Sequence, residues 1–119
     1  MAYTVSLTAP AEADAYAAFE RIREVAPYSA AKWLRDLFAA MATLADIPAR
    51  CPLIPEADEL GDPVRHLLYG KRTAIYRIIF DIQEASEEGP RVRVLRIWPG
   101  ARDRIATEDI DTEHEAALP

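Results

Sequence analysis

Three consecutive runs of β-forming residues between Val64 and Asp103 constrain the fold of this chain more than any other feature. The runs are rich in Val, Ile, Leu, Tyr and Phe, and a Gly-Lys turn and an acidic loop separate them. We predict strands over residues 64–69, 72–82 and 91–98. Because the connections are short, the three strands should form an antiparallel meander.

Alternation along the second strand predicts one apolar face and one charged face. The apolar set is Ala74, Tyr76, Ile78, Phe80 and Ile82, and the opposite set is Thr73, Ile75, Arg77, Ile79 and Asp81. Residues 64–104 hold nine Lys and Arg against five Asp and Glu, inside a chain whose formal net charge is −6. The charged face is therefore a candidate surface for phosphates or an acidic peptide. The alternative is that these arginines are ordinary strand charges that oppose aggregation.

The N-terminal half predicts a short strand and two helices. Tyr3 to Leu7 alternates as a strand does, and Thr8 precedes a helix over residues 11–26 as its N-cap. Pro27 breaks the pattern, and Ser29 can cap a second helix over residues 30–45. The short break predicts an antiparallel helical hairpin, whose apolar stripes need the sheet as cover.

The remaining segments are a proline-punctuated loop and an acidic tail. Residues 47–63 contain four prolines and Cys51, a cysteine that is either a reactive thiol or, as we expect, a buried loop anchor. Residues 105–119 carry five acidic residues and no Lys or Arg. We expect a solvated tail; the alternative is that it folds back on the basic sheet face as a screen.

Composition limits the classes of function. We expect one domain in the cytoplasm, with no membrane span, no secretory signal and no intramolecular disulfide, since Cys51 has no partner. The net charge argues against a general nucleic-acid binder. No metal-ligand spacing or phosphate-binding loop is present, so we expect no metal and no cofactor.

Four segments in this order resemble the RelE/ParE family of toxins from bacterial type II toxin–antitoxin modules. The segments are R-C-P-L-I-P-E at 50–56, V-R-H-L-L-Y-G at 64–70, Y-R-I-I-F at 76–80 and V-L-R-I-W-P-G-A-R-D at 94–103. The resemblance implies an α+β fold with an N-terminal strand, a two-helix antiparallel hairpin and a three-strand antiparallel meander in a small twisted sheet. The toxin domain would span residues 1–104, and 105–119 would be the acidic C-terminal tail.

The resemblance also implies function, partners and site residues. Such a toxin is neutralised by a cognate antitoxin, causes growth arrest, contributes to plasmid stabilisation, and acts either on DNA gyrase or as a ribosome-dependent mRNA endoribonuclease. By position, the candidate catalytic residues are Arg72, Arg77 and Arg102. Lys71, Arg93 and Arg96 are candidates for binding an anion or the antitoxin.

The sequence departs from the nuclease pattern at the last strand. Many relatives have a histidine before the glycine that follows this strand, where the present chain has Pro99. His66 and His114 are the two histidines, and we expect His66 to be a packed strand residue, so no proton-transfer group is evident. Two alternatives to a toxin therefore stay open: a binding module that keeps antitoxin binding without toxicity, and a scaffold in which the arginines are structural.

Overall fold

The computed structural model describes residues 2–71, 74–100 and 107–110. The strands are β1 (Thr4–Leu7), β2 (Arg65–Tyr69), β3 (Tyr76–Gln83) and β4 (Arg91–Pro99). The α-helices are α1 (Ala9–Val25), α2 (Pro27–Ala42) and the short α3 (Ala57–Leu60). Three 3-10 helices cover Thr43–Ala45, Pro48–Arg50 and Thr107–Ile110. The α+β class and the order of strand, helical hairpin and meander are as predicted.

The four strands form one sheet in the order β1-β4-β3-β2. β1 runs parallel to β4, whereas β2–β3 and β3–β4 are antiparallel. The β3–β4 register shifts at Ile79/Phe80, because Ile79 pairs with Arg96 and Phe80 with Val94. Leu95 is the extra residue of this β-bulge. The N-terminal strand thus closes the sheet against the last strand of the meander.

Residues at the start of α1 form hydrogen bonds with the part of the β4 edge that β1 does not pair with. Thr8 is the N-cap, and its hydroxyl oxygen accepts a hydrogen bond from the Ala11 amide at 3.3 Å. The Thr8 hydroxyl also lies 3.0 Å from the Leu95 carbonyl oxygen, and an Asp14 carboxylate oxygen accepts from the Ile97 amide at 3.0 Å. These contacts pair backbone groups that would otherwise be unsatisfied at a half-buried strand edge.

The second helix begins earlier than the sequence predicts. α2 starts at Pro27, directly after Ala26, and no side chain caps it. Ser29 therefore lies inside the first turn and is not the cap that the sequence predicts. Proline is tolerated at the first helical position because its missing N–H would be unpaired there.

One side of the sheet, the helix face, packs against α1 and α2. Its buried residues include the alanines of α1, the large residues of α2 and alternate strand residues: Ala11, Ala15, Leu37, Met41, Leu44, Ile78, Phe80, Val92, Val94 and Ile97. Small alanine side chains let α1 approach β4 closely. Cys51 is buried in the same core with a free thiol, which confirms its prediction as a loop anchor.

The opposite side, the second face, is also covered, contrary to the expectation of an exposed charged face. Ile79, Leu95 and Trp98 are buried there, under Ile54, Ala57, Leu60, Val64 and Ile110. The cover comes from the proline-punctuated segment, which contains α3, and from the 3-10 helix Thr107–Ile110. The prediction of a loop over residues 47–63 missed α3, because four residues are too few to show helical periodicity.

The connection between β2 and β3 is longer than the predicted two-residue turn. Tyr69 pairs with Tyr76, so residues 70–75 lie between the strands. Gly70 has φ of 115°, and a Cβ there would lie 2.2 Å from the Ala74 carbonyl oxygen. The prediction placed Arg72 and Thr73 in the strand, and both lie outside the described residues.

Candidate functional site

Three of the six predicted site residues lie on the second face, each at a different position along the strands. Arg77 lies on β3, and Arg93 and Arg96 lie on β4. Arg72 and Arg102 lie outside the described residues. Lys71 is exposed in the β2–β3 connection, at the end of the sheet.

Arg77 forms a nearly buried ion pair. Its guanidinium donates to both carboxylate oxygens of Glu56, at 3.0 and 3.3 Å, and its Nε donates to His66 Nδ1 at 3.2 Å. The Arg77 and Glu56 side chains are 11% and 3% exposed. The pair thus connects the segment that precedes α3 to the centre of the sheet, and it is strongly held because both charges are largely desolvated.

His66 is half-buried beside this pair. Burial, and then the positive charge of Arg77, lower the pKa of His66 below its usual 6.5, and Glu56 opposes part of that shift. Because Nδ1 accepts from Arg77, the proton of the neutral ring lies on Nε2. Near neutral pH, Nε2 of His66 is therefore a hydrogen-bond donor and cannot act as a base.

Arg93 and Arg96 also have carboxylate partners. Arg93 Nε donates to Asp81 at 3.0 Å across the β3–β4 pair. Arg96 donates to both oxygens of Asp14 at 2.7 and 2.9 Å, and its Nη1 donates to the Asp109 carbonyl oxygen at 3.1 Å. The hydrogen bonds that Arg96 donates to Asp14 raise the pKa of Arg96 above its usual value. The Arg96 guanidinium also lies over the Trp98 ring, 5.0 Å from its centroid.

Sequence reasoning missed these carboxylate partners. It named no partner for any of the three arginines, and Asp14 and Arg96 are in contact although they are 82 residues apart in the sequence. The alternation along β3 did place Asp81 on the same face as Arg77, which indicated that a carboxylate lies among the arginines. The catalytic and anion-binding roles of the six basic residues stay predictions.

A groove at the end of the sheet holds two adjoining cavities. One cavity of about 400 Å³ is lined by Ser29, Lys32, Trp33, Asp36, Tyr69, Gly70, Lys71 and Ala74. A second, of about 280 Å³, is lined by Ile22, Trp33, Ala74, Ile75, Tyr76, Pro99 and Gly100. Since both include Trp33 and Ala74, they lie side by side, and we call them together the Trp33 groove.

The indole of Trp33 is held by two tyrosines. Its ring lies edge-on to Tyr69 and Tyr76, with centroid distances of 5.8 and 5.2 Å. The Tyr69 hydroxyl donates to the Trp33 carbonyl oxygen at 2.8 Å, and burial raises the pKa of Tyr69, as does nearby Asp36. Trp33 is thus a partly exposed aromatic side chain with a fixed orientation.

Metal-ligand clusters and membrane-spanning helices are both absent from the part of the chain that the structure describes. Within it, His, Cys, Asp and Glu residues do not cluster in threes in a way that could hold a metal ion. The described helices also include none with the length and apolarity needed to cross a membrane.

The fold is a small α+β domain whose sheet arginines Arg77, Arg93 and Arg96 are ion-paired. Residues 5–104 match the family model described as ParE toxin of type II toxin-antitoxin system, parDE. The chain therefore belongs to the ParE toxin family, and a toxin of a type II module has an antitoxin as its partner. No curated protein matches the chain.

Proposed function

We propose that this toxin inhibits DNA gyrase by binding to it, and that it does not cleave mRNA. The observation that carries the proposal is that Arg77, Arg93 and Arg96 each have a carboxylate partner within the chain. A phosphate could replace such a partner only by leaving a carboxylate unpaired and partly buried. Breaking a buried pair in this way costs about 3 to 5 kcal/mol.

The environment of His66 also supports gyrase, and not mRNA, as the target. Cleavage of RNA through its 2′-hydroxyl needs a base to activate the nucleophile and an acid for the leaving oxygen. His66 is the one histidine among the described residues, and its Nδ1 is already occupied by Arg77. Its lowered pKa leaves little of the protonated form that a general acid would need at neutral pH.

Charge adds a third argument. The chain has a formal net charge of −6, which disfavours approach to ribosomal RNA and mRNA. A toxin that works by binding a protein needs neither a phosphate site nor a proton-transfer group. Expression without antitoxin should then arrest growth, and arrest of cells that lose the module is how it would stabilise a plasmid.

A pair of assays on one toxin preparation tests the proposal. Purified toxin is added to a gyrase supercoiling reaction, and in parallel to a cell-free translation reaction whose mRNA is mapped by primer extension. We expect supercoiling to stop and the mRNA to stay intact, and added antitoxin should reverse the inhibition. Ribosome-dependent mRNA cleavage with active gyrase would contradict the proposal.

A second function is favoured by the same arginine pairs if both assays are negative. The fold would then be a binding module that retains its antitoxin and has lost toxicity. A toxin preparation that binds antitoxin, leaves both reactions unaffected and does not slow growth on expression would support this alternative.

A further inference from the structure

We propose that the Trp33 groove is the surface through which this toxin contacts its protein target. The occupant we infer is an acidic segment of the target that places an apolar side chain against Trp33. This inference rests on the proposed function, in that the toxin acts by binding a protein.

The shape of the groove suits an inserted side chain. The two adjoining cavities measure about 400 and 280 Å³, near the lower end of the range of about 300 to 1,000 Å³ for ligand sites. Trp33 is fixed by two edge-on tyrosines and by the hydrogen bond from Tyr69 to its carbonyl oxygen. An aromatic side chain that is ordered before binding loses little entropy on contact, which favours affinity.

The charge of the rim selects an acidic partner. Lys71 is exposed, and among the described residues no carboxylate pairs with it. Lys32 pairs with Asp36 at 2.6 Å, but both are exposed and such a pair contributes little. The lining thus holds two lysines against one carboxylate, and this local positive charge favours acidic segments here although the whole chain has a net charge of −6.

An exposed tyrosine extends the surface beside the groove. Tyr28 is fully exposed in the first turn of α2 and lies four residues before Lys32, on the same side of the helix. Val25, at the end of α1, is 84% exposed. Exposed tyrosine is a frequent anchor of protein interfaces because it offers a large contact area with few torsions to fix.

The groove also differs from the second face in what binding requires. On the second face, a partner must first displace Ile110 or break the pair of Arg77 and Glu56. At the Trp33 groove, Lys71 pairs with no carboxylate among the described residues, so an acidic partner has none to displace there. Binding at the groove therefore avoids the free-energy cost of displacing Ile110 or breaking the ion pair.

Substitutions on the groove, matched with one elsewhere, test the inference. Tyr28→Asp removes the exposed ring and repels an acidic partner, while a carboxylate in the first turn is favourable for α2. Ala74→Phe adds a ring at the position that both cavities share and removes no side-chain atom. Tyr16→Asp is the control, because Tyr16 is a half-exposed tyrosine of α1 that lines neither cavity.

The measurements are growth arrest on expression, gyrase inhibition, and the Kd for antitoxin by calorimetry. We expect Tyr28→Asp and Ala74→Phe to weaken gyrase inhibition at least tenfold and to relieve growth arrest. Tyr16→Asp should change neither more than threefold. Antitoxin affinity should stay within threefold for Tyr28→Asp, and circular dichroism should show that each variant is folded.

Three outcomes would overturn the inference. Both groove variants could arrest growth as the wild type does, or antitoxin affinity could fall in parallel with toxicity, which would assign the groove to the antitoxin. The third is a wild-type dimer in sedimentation that Tyr28→Asp dissociates, which would assign it to a second copy. If the wild type cleaves mRNA and spares gyrase, the proposed function fails, and growth arrest, which does not depend on the target's identity, still decides the role of the groove.

Discussion

At the scale of single residues, Gly70 fixes one wall of the Trp33 groove. Its φ of 115° is rarely adopted by other residues, and a Cβ would meet the Ala74 carbonyl oxygen at 2.2 Å. We predict that Gly70→Ala lowers the free energy of unfolding by about 3 kcal/mol, since backbone strain and a steric clash add. Urea denaturation followed by tryptophan fluorescence measures the change.

Gly61 provides the matched control for Gly70. It also has a positive φ, 75°, but nothing lies within 4 Å of a Cβ built there. Gly61→Ala should therefore lose only the conformational term, about 1 kcal/mol. Equal losses for the two variants would show that the close approach at Gly70 does not matter.

His66 predicts a pH dependence of stability. Its pKa is lowered in the folded protein, so the unfolded chain binds its proton first as pH falls. The stabilisation from the neutral ring is complete above the unfolded pKa of about 6.5 and is lost as pH falls through the lower folded pKa. Stability should therefore decrease with acidification in this window.

The variant His66→Asn isolates that contribution. Asparagine keeps an acceptor near the position of Nδ1 for Arg77 but does not titrate. We expect the difference in unfolding free energy between wild type and variant to be constant above about pH 7 and to decrease below it. A difference independent of pH, measured by urea unfolding from about pH 8 to 5, would contradict the assigned shift.

At the scale of elements, the pair of Glu56 and Arg77 fixes the segment before α3 on the sheet. Glu56→Gln leaves the Arg77 charge largely buried without its counterion, so we predict a loss of about 3 kcal/mol. Glu20→Gln is the control, because its partner Arg23 and Glu20 are both more than half exposed. That variant should change stability by less than about 0.5 kcal/mol in thermal or urea unfolding.

The double variant Glu56→Met/Arg77→Met tests whether the loss in Glu56→Gln comes from the unpaired charge or from altered packing. Two apolar side chains of similar size remove both buried charges together, and such replacements are often neutral. We expect the double variant to recover most of the stability that Glu56→Gln loses. If it is as unstable as the single variant, the loss comes from packing at Glu56 and not from an uncompensated charge.

Local sequence patterns predicted one face of the sheet but not the other. Period-two alternation identified the helix face of β3, because Ile78 and Phe80 share a parity that excludes the charged residues Arg77 and Asp81. The same alternation could not show that the second face is covered, since its cover comes from distant segments. Partners such as Asp14 for Arg96 depend on the crossing of α1 over β4, which no local pattern encodes.

At the scale of the whole molecule, the N-terminal strand and the segment Thr107–Ile110 both contact β4. β1 pairs with β4, and the 3-10 helix Thr107–Ile110 lies against the second face with Ile110 only 7% exposed. This contact agrees with the alternative that the acidic tail folds back on the sheet, for the part of the tail that is described. The domain boundary at residue 104 stays a prediction, and it treats Ile110 as part of a solvated tail.

Ile110→Ser decides between these two descriptions of the tail. If Ile110 is a core residue, its loss removes a buried side chain next to Leu95 and Trp98, and stability should fall by about 2 to 3 kcal/mol. Ile47→Ser is the control, because Ile47 is 73% exposed and should tolerate the change within about 0.5 kcal/mol. Equal stabilities of the two variants in urea unfolding would place Ile110 in the tail, whereas a selective loss at Ile110 would extend the cooperative fold at least six residues past the predicted boundary.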